Sequence, residues 1–287
     1  MDKAVAMQTR RNRATMIETE QQRKARERRE DLARLRGLRP LDDDFMRCIF
    51  KDNIPLAELV LRILLREPTL TVEKVETQRD NKRLVGGRSV SFDVYVGDQQ
   101  RRKENVEIQR SDKGAGKRRA RYHSSVMDIE NLDAGQDFDE LPETFTIFIT
   151  ENDQFGDGKT YHRIERVDLD SEGKPLFDDG EHILYVNGAY QGDSDIGRLM
   201  HDFRCCDAKN MYFKEMQEIT HHFKETEEGV EYMCRAFEET RNEGKYQEKI
   251  ETAMRMIRDG ALPLEKIAQY SGLPIEKVQE LAGARTA

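Results

Sequence analysis

Two carboxylates and an amide, Asp93, Glu107 and Gln109, occur in the stretch SVSFDVYVGDQQRRKENVEIQR at a spacing that could do chemistry. If this stretch folds as two antiparallel strands turning near Gln100, paired positions share a constant index sum. Asp93 then faces Glu107, and Ser91 faces Gln109. The two-residue period of a strand sends Ser91, Asp93, Tyr95, Asn105, Glu107 and Gln109 to one side, and Val90, Phe92, Val94, Val96, Val106 and Ile108 to the other. The apolar side predicts a core, and the polar side predicts chemistry or solvent. Like charges directly across a strand pair repel. Either both carboxylates face water on an exposed hairpin, or a hard divalent cation lies between them. Carboxylate oxygens, a backbone carbonyl and waters are the ligands that magnesium or manganese prefers.

The elements that would position these groups can be read from periodicity. PLAELVLRILL spaces Leu56, Leu59, Val60, Ile63 and Leu64 as a helix. Glu58 interrupts that run, as a cover for the polar side or as a further acidic group. LTVEKVETQRDN predicts a strand leading into the hairpin, and KRRARYHSSVMDIENLDAG predicts a helix ended by Gly135. FTIFIT carries no charge and suits a strand buried on both faces. YHRIERVDL and HILYVNGAY predict further strands at the sheet edge, and beyond about Asp195 the composition turns helical.

At 287 residues the chain can bury one core of roughly 150 to 200 residues with helical appendages. The net charge of −8 excludes bulk attraction for nucleic acid, but the charge is uneven. From Arg10 to Arg39 there are eleven Lys/Arg against five Asp/Glu, and KGAGKRRAR adds a second basic cluster. Such segments bind phosphate locally or are merely solvated. The four cysteines, Cys48, Cys205, Cys206 and Cys234, have no metal or disulfide spacing, which fits a reducing cytoplasm. His221 and His222 would point about 100° apart on a helix, poor geometry for a metal. No run of about eighteen apolar residues and no signal-peptide core is present, so neither membrane insertion nor secretion is expected.

Near the C-terminus, LPLEKIAQYSGLPIEKVQELAG reads as a helix-turn-helix pair, with Ile267, Leu273, Val278 and Leu281 placed to pack it. Its second helix offers Glu276, Lys277, Gln279 and Glu280, a surface that favours packing or assembly over base readout.

An Asp, then Glu-x-Gln on the next strand, then a helix opening near KRRARYHSSVMD, resembles the PD-(D/E)XK nuclease superfamily. The closer likeness is to its PD-(D/E)XK nuclease family transposases, or recombination-promoting nucleases. It runs through LDDDFMRCIF, SFDVYV, VEIQ, ARYHSSVMD, LPETFTIFITENDQFG and ILYVNGAY, most of residues 38 to 235. The resemblance implies an α/β, restriction-endonuclease-like core, a mixed central β-sheet flanked by helices, with helical N- and C-terminal extensions. The expected organisation is a charged helical arm over 1–37, the nuclease-like core over 38–195, a helical extension over 196–243 and a helical hairpin over 244–287. It further implies a Mg2+- or Mn2+-dependent DNA endonuclease. Asp93, Glu107 and Glu58 would hold the metal, and Gln109 would stand at the usual Lys position and orient water. Arg118, Arg121 and Tyr122 would meet DNA, although Arg121 could instead pair with Asp128 or Glu107. A catalytically silent DNA-binding or assembly module with the same fold is the rival reading. The helical extensions leave room for a homo-oligomer. No RNase-H-like Asp-Asp-Glu arrangement is visible to support strand transfer.

Overall fold

The computed structural model describes residues 19–80, 90–109 and 114–283. Six strands form one mixed sheet in the order β1-β2-β3-β4-β6-β5. They are β1 (Val72–Asp80), β2 (Ser91–Asp98), β3 (Lys103–Gln109), β4 (Thr144–Thr150), β5 (Tyr161–Ile164) and β6 (Glu181–Asn187). β1, β2 and β3 are antiparallel neighbours, β3, β4 and β6 run parallel, and β5 returns antiparallel on the far edge. β6 is therefore an inner strand, and of these two only β5 lies at an edge, a correction to the expectation that both lie at the rim. Every residue of β4 is buried, as an uncharged strand between two parallel partners requires.

Helices α1 (Glu20–Gly37), α2 (Asp43–Phe50) and α3 (Ile54–Leu65) precede the sheet. Thr19 and Gln22 close a capping box on α1, and the Asn53 side chain accepts from Leu56 N at the start of α3. Leu35, Leu38 and Leu41 are buried, so the last turn of the basic arm joins the core instead of standing apart from it. Helix α4 (Lys117–Asn131) makes the crossover from β3 to β4, and its Ala120, His123, Ser124, Val126 and Met127 face inward. Ser124 Oγ lies 3.0 Å from Thr146 Oγ1 of β4. The polar face of the hairpin is thus roofed by a helix and not by water. Helices α5 (Asp195–Arg204) and α6 (Lys214–Glu225) pack aromatic side chains onto α2, Phe50 stacking on Phe203 and Phe45 meeting Phe223 edge-on.

The two-residue alternation breaks once. Phe92 stacks on Tyr95 at 5.5 Å and both pack with Val126 and Met127 of α4, although strict alternation puts them on opposite faces. The break coincides with Gln78 of β1 at φ 54°, a left-handed residue whose amide reaches Asp93.

The chain divides into compact units at Val230 and Glu231. Helices α5 and α6 therefore belong with the sheet. The boundary expected between residues 243 and 244 falls inside an uninterrupted helix, α7 (Glu227–Asp259). In the second unit, α8 (Leu264–Ser271) and α9 (Ile275–Gly283) flank Gly272 at φ 67°, a conformation natural to glycine. Ile267, Leu273 and Val278 are buried there together with Ala253.

On the side of β3 away from the polar cluster, Glu104 is fully buried. Among the described residues neither of its carboxylate oxygens is hydrogen-bonded, and Arg102 Nε is 4.0 Å away. Burial, and then the charge of Asp98, pushes its carboxyl up to about 8. Because the unfolded value is near 4.3, this group takes stability away as pH rises from about 4 to about 8. Glu104→Gln is expected to raise stability at pH 9 by on the order of 2–4 kcal/mol and to change it little at pH 5. Thermal melts at the two pH values check this.

Candidate active site

The ladder between β2 and β3 runs from Val94↔Val106 to Gly97↔Lys103, a constant index sum of 200 that carries Asp93 opposite Glu107. Beyond Val94 side chains replace the ladder. Ile108 N donates to Asp93 Oδ2 at 3.2 Å, and Asp93 N donates to Glu107 Oε1 at 3.3 Å. Each carboxylate therefore binds the backbone of the opposite strand. The second oxygen of Asp93 accepts from Gln78 Nε2 at 3.3 Å.

Glu107 is completely buried and well supplied with donors. Asn105 Nδ2 donates to Oε1 at 3.1 Å and Arg119 Nη2 donates to Oε2 at 3.1 Å. His123 Nδ1 is 3.4 Å from Oε1, and its Nε2 accepts from Arg119 Nε at 3.1 Å. With Nε2 accepting, the proton of a neutral imidazole sits on Nδ1 and faces Glu107. Burial opposes the charge of Glu107, yet His123, Arg119 and Asn105 together hold its carboxyl below the usual glutamate range. Asp93 goes the other way: burial, and then the negative charge of Glu107, pushes it up to about 7. The proton of this acid pair therefore resides on Asp93.

The predicted residues do not all converge. Gln109 ends β3 two residues beyond Glu107, half-buried, and its amide has no hydrogen-bond partner among the described residues. Glu58 does not reach the pair. Its Oε1 accepts from Val72 N at 3.0 Å and its Oε2 pairs with Arg62 at 2.8 Å. Val72 aligns with Asp98, so Glu58 lies five residues along β2 from Asp93, roughly 16 Å. Asp43, the first residue of α2, is the further acid near the site: it is exposed, and its charge also raises Asp93. Arg118 and Arg121 are exposed on α4, and neither pairs with an acid among the described residues. The arginine that reaches Glu107 is Arg119. Tyr122 is half-buried against Phe92, Tyr95 and Val126. Lys113, the first residue of the basic segment KGAGKRRAR, lies outside the described residues.

Sequence reasoning missed Arg119, His123, Gln78 and Asp43. For two of them a signal existed. Ala120, Ser124 and Met127 mark the inner face of α4, which puts His123 on it and Arg119 one turn earlier.

Among the described residues no cluster of three or more His, Cys, Asp or Glu is arranged to hold a metal ion. Magnesium, however, is commonly held by one or two carboxylates, with waters and substrate phosphates filling the other positions. Asp93 and Glu107 fit that requirement, as adjacent oxygen donors whose mutual repulsion already shifts Asp93.

The family described as PD-(D/E)XK nuclease family transposase matches residues 56–265. The six-stranded mixed sheet flanked by helices is consistent with the restriction-endonuclease-like α/β fold of such nucleases. No curated protein and no solved structure matches the chain.

The proton on Asp93 has a thermodynamic consequence. Its folded value of about 7 exceeds the unfolded value near 3.9, so the group lowers stability as pH rises between those limits. In EDTA, Asp93→Asn is expected to be more stable than the parent at pH 8, by on the order of 2–4 kcal/mol, and nearly equal to it at pH 4. Chemical denaturation at both pH values reads this out, and a less stable variant at pH 8 would show that the two acids do not burden the fold.

Proposed function

We propose, since the chain belongs to the PD-(D/E)XK nuclease family transposases, that it is a magnesium-dependent DNA endonuclease that hydrolyses phosphodiester bonds and so promotes recombination. The observation that carries this reading is the interlocked pair at one end of the sheet, Glu107 fully buried and Asp93 half-buried across from it, each carboxylate bonded to the backbone of the other's strand. A structural role alone gives no reason to keep two acids in contact, because cross-strand like charges destabilise.

Asp93 and Glu107 would hold the metal, which when bound supplies neutralisation of both carboxylates and polarisation of the scissile phosphate. The chain's own groups do the rest. Gln109, on the same strand and the same side as Glu107, presents an amide that can orient the attacking water by hydrogen bonding but brings no positive charge. Asn105 and His123 fix the rotamer of Glu107 from within the core. Arg119 approaches Glu107 from a side chain that is 42% exposed, so the same arm can turn to a DNA phosphate when Glu107 is otherwise engaged. Arg118 and Arg121 add exposed positive charge on the same helix, a surface for the DNA backbone. Hydrolysis, and not strand transfer, is the chemistry expected of this arrangement.

Gln109 also favours a second reading, a DNA-binding module that keeps the fold without cutting, because the charge usual at that position is missing. Supercoiled plasmid separates the two. With Mg2+ the parent protein is expected to convert it to nicked or linear forms, and Asp93→Ala is expected to lose at least about a hundredfold in rate. Gln109→Lys should retain or raise the rate and Gln109→Leu should lower it. Equal rates in all three forms at position 109 would remove that residue from the site. Joining of a labelled donor end into target DNA would overturn the hydrolytic assignment.

A further inference from the structure

A second polar site opens at the same end of the sheet. The parallel strands β3, β4 and β6 finish at Gln109, Thr150 and Asn187. Just past those ends, Glu151 N donates to Gln109 O at 3.0 Å and Gly188 N donates to Thr150 O at 2.8 Å. Arg204, the last residue of α5, donates to Glu151 O and Gly188 O, each at 3.3 Å. Its guanidinium is therefore one to two strand spacings, roughly 5–10 Å, from the end of β3 that carries Glu107 and Gln109. Beside it lies a cavity of about 430 Å3 whose walls include Tyr190, Arg198, His201, Arg204 and Tyr212. Ligand cavities begin near 300 Å3, so this one has room for a single nucleotide.

Its chemistry fits that occupant. Arg204 is bound only by carbonyls, and among the described residues no carboxylate pairs with it, so its full charge is left for an anion. Tyr212 is 61% exposed, so much of its ring is open to solvent. Its backbone is nevertheless held rigidly: Tyr212 N donates to Asp202 Oδ1 at 2.8 Å and Phe213 N donates to Oδ2 at 2.9 Å, and Asp202 is fully buried. Cationic and aromatic neighbours flank the ring, with Arg198 5.8 Å from its centroid and His201 edge-on at 4.9 Å. A fixed, exposed aromatic among arginines is a stacking platform for a base with its phosphate. Asp193 currently engages Arg198 at 2.7 Å, but that carboxylate is 88% exposed and such a pair yields readily to a phosphate.

We propose that this cavity binds one unpaired nucleotide of the DNA strand next to the cleaved phosphodiester, its base on Tyr212 and its phosphate on Arg204 and Arg198. The inference rests on the DNA-cleavage reading and narrows its substrate to DNA with single-stranded or frayed character at the cut. The adjacency of the two sites along the strand ends selects a nucleotide within a strand over a free one.

Equilibrium binding in EDTA separates this from the cleavage reading, because no cutting is needed. Fluorescence anisotropy with the full-length protein would compare a labelled single-stranded oligonucleotide, the blunt duplex of the same sequence, and free dTMP as competitor. The parent is expected to prefer the single strand. Tyr212→Ala should weaken that affinity about tenfold or more while changing duplex affinity little, and Arg198→Ala should weaken it less. Unchanged single-strand affinity in Tyr212→Ala, with the parent still binding DNA, overturns the cavity and leaves the nuclease reading intact. A parent that binds no DNA in any form overturns both. Displacement by dTMP at concentrations as low as those of the oligonucleotide would assign the cavity to a free nucleotide and overturn the strand assignment.

Discussion

Asp98 accepts the backbone N–H groups of Gln100 and Arg102 on one oxygen and Arg102 Nε on the other, while the two terminal nitrogens of Arg102 fork onto Glu67 at 2.8 Å each. This clamp closes the turn between β2 and β3 and ties it to the segment after α3. A turn fixes the register of the strands it joins, and a slip of one residue would exchange the faces of every side chain. With the turn pinned, the index sum of 200 follows, and Asp93 must meet Glu107. The Arg102 guanidinium is nearly buried, so its bidentate carboxylate bonds work in a medium where they are strong and directional. Glu104 is the cost of the same turn: it sits beside Asp98 on the buried side, where only its neutral form is comfortable.

At the other end of the hairpin the fold tolerates a conflict instead of removing it. Asp93 and Glu107 are placed together, and the surroundings divide the burden unequally. Every cationic or hydrogen-bond donor of α4 that reaches the pair goes to Glu107, whereas Asp93 has an amide from Gln78 and one backbone N–H. One carboxylate is thereby kept charged and the other is left ready to change its protonation near neutrality. Asymmetry of this kind, produced by which neighbours each acid has, is characteristic of sites where carboxylates do chemistry.

Much of this arrangement is legible in the sequence, and the reason is periodicity. The alternation around Asp93 and Glu107, the uncharged run of β4 and the helical spacing of Leu56, Val60 and Leu64 all report local geometry that burial enforces. What escapes is set by tertiary neighbours. Glu58 looks like a site residue because it is the lone acid of an apolar helix, yet the end of β1 where α3 packs determines that it caps Val72 instead. Arg118, Arg119 and Arg121 are equivalent as letters, and only the rotation of α4 over the sheet selects Arg119. Phe92 departs from the alternation where Gln78, on a different strand, takes a left-handed conformation that a pattern within β2 does not disclose. Asp43 is one of three successive aspartates at the start of its helix, and nothing local to that run tells which of them comes near Asp93.

The direction of the strands explains why chemistry collects at one end. β3, β4 and β6 all deliver their C-terminal ends there, and antiparallel β2 delivers its N-terminal end, so Asp93, Gln109, Glu151 and Gly188 become neighbours from four separate strands or their exits. In open sheets with parallel strands, ligands favour the crevice outside the carboxyl ends, where the chain leaves the sheet and side chains are released from packing. Here the buried strands run up to Gln109, Thr150 and Asn187, with Glu107 set inside β3 and Arg204 placed just beyond the ends of β4 and β6. Arg204 links that rim by donating to the exits of β4 and β6 at once, so its charge is tied to backbone that leaves two buried strands. A cation anchored by carbonyls is held in position without being neutralised, and this is the arrangement by which a protein of net charge −8 can still present a fixed positive group beside an acidic pair.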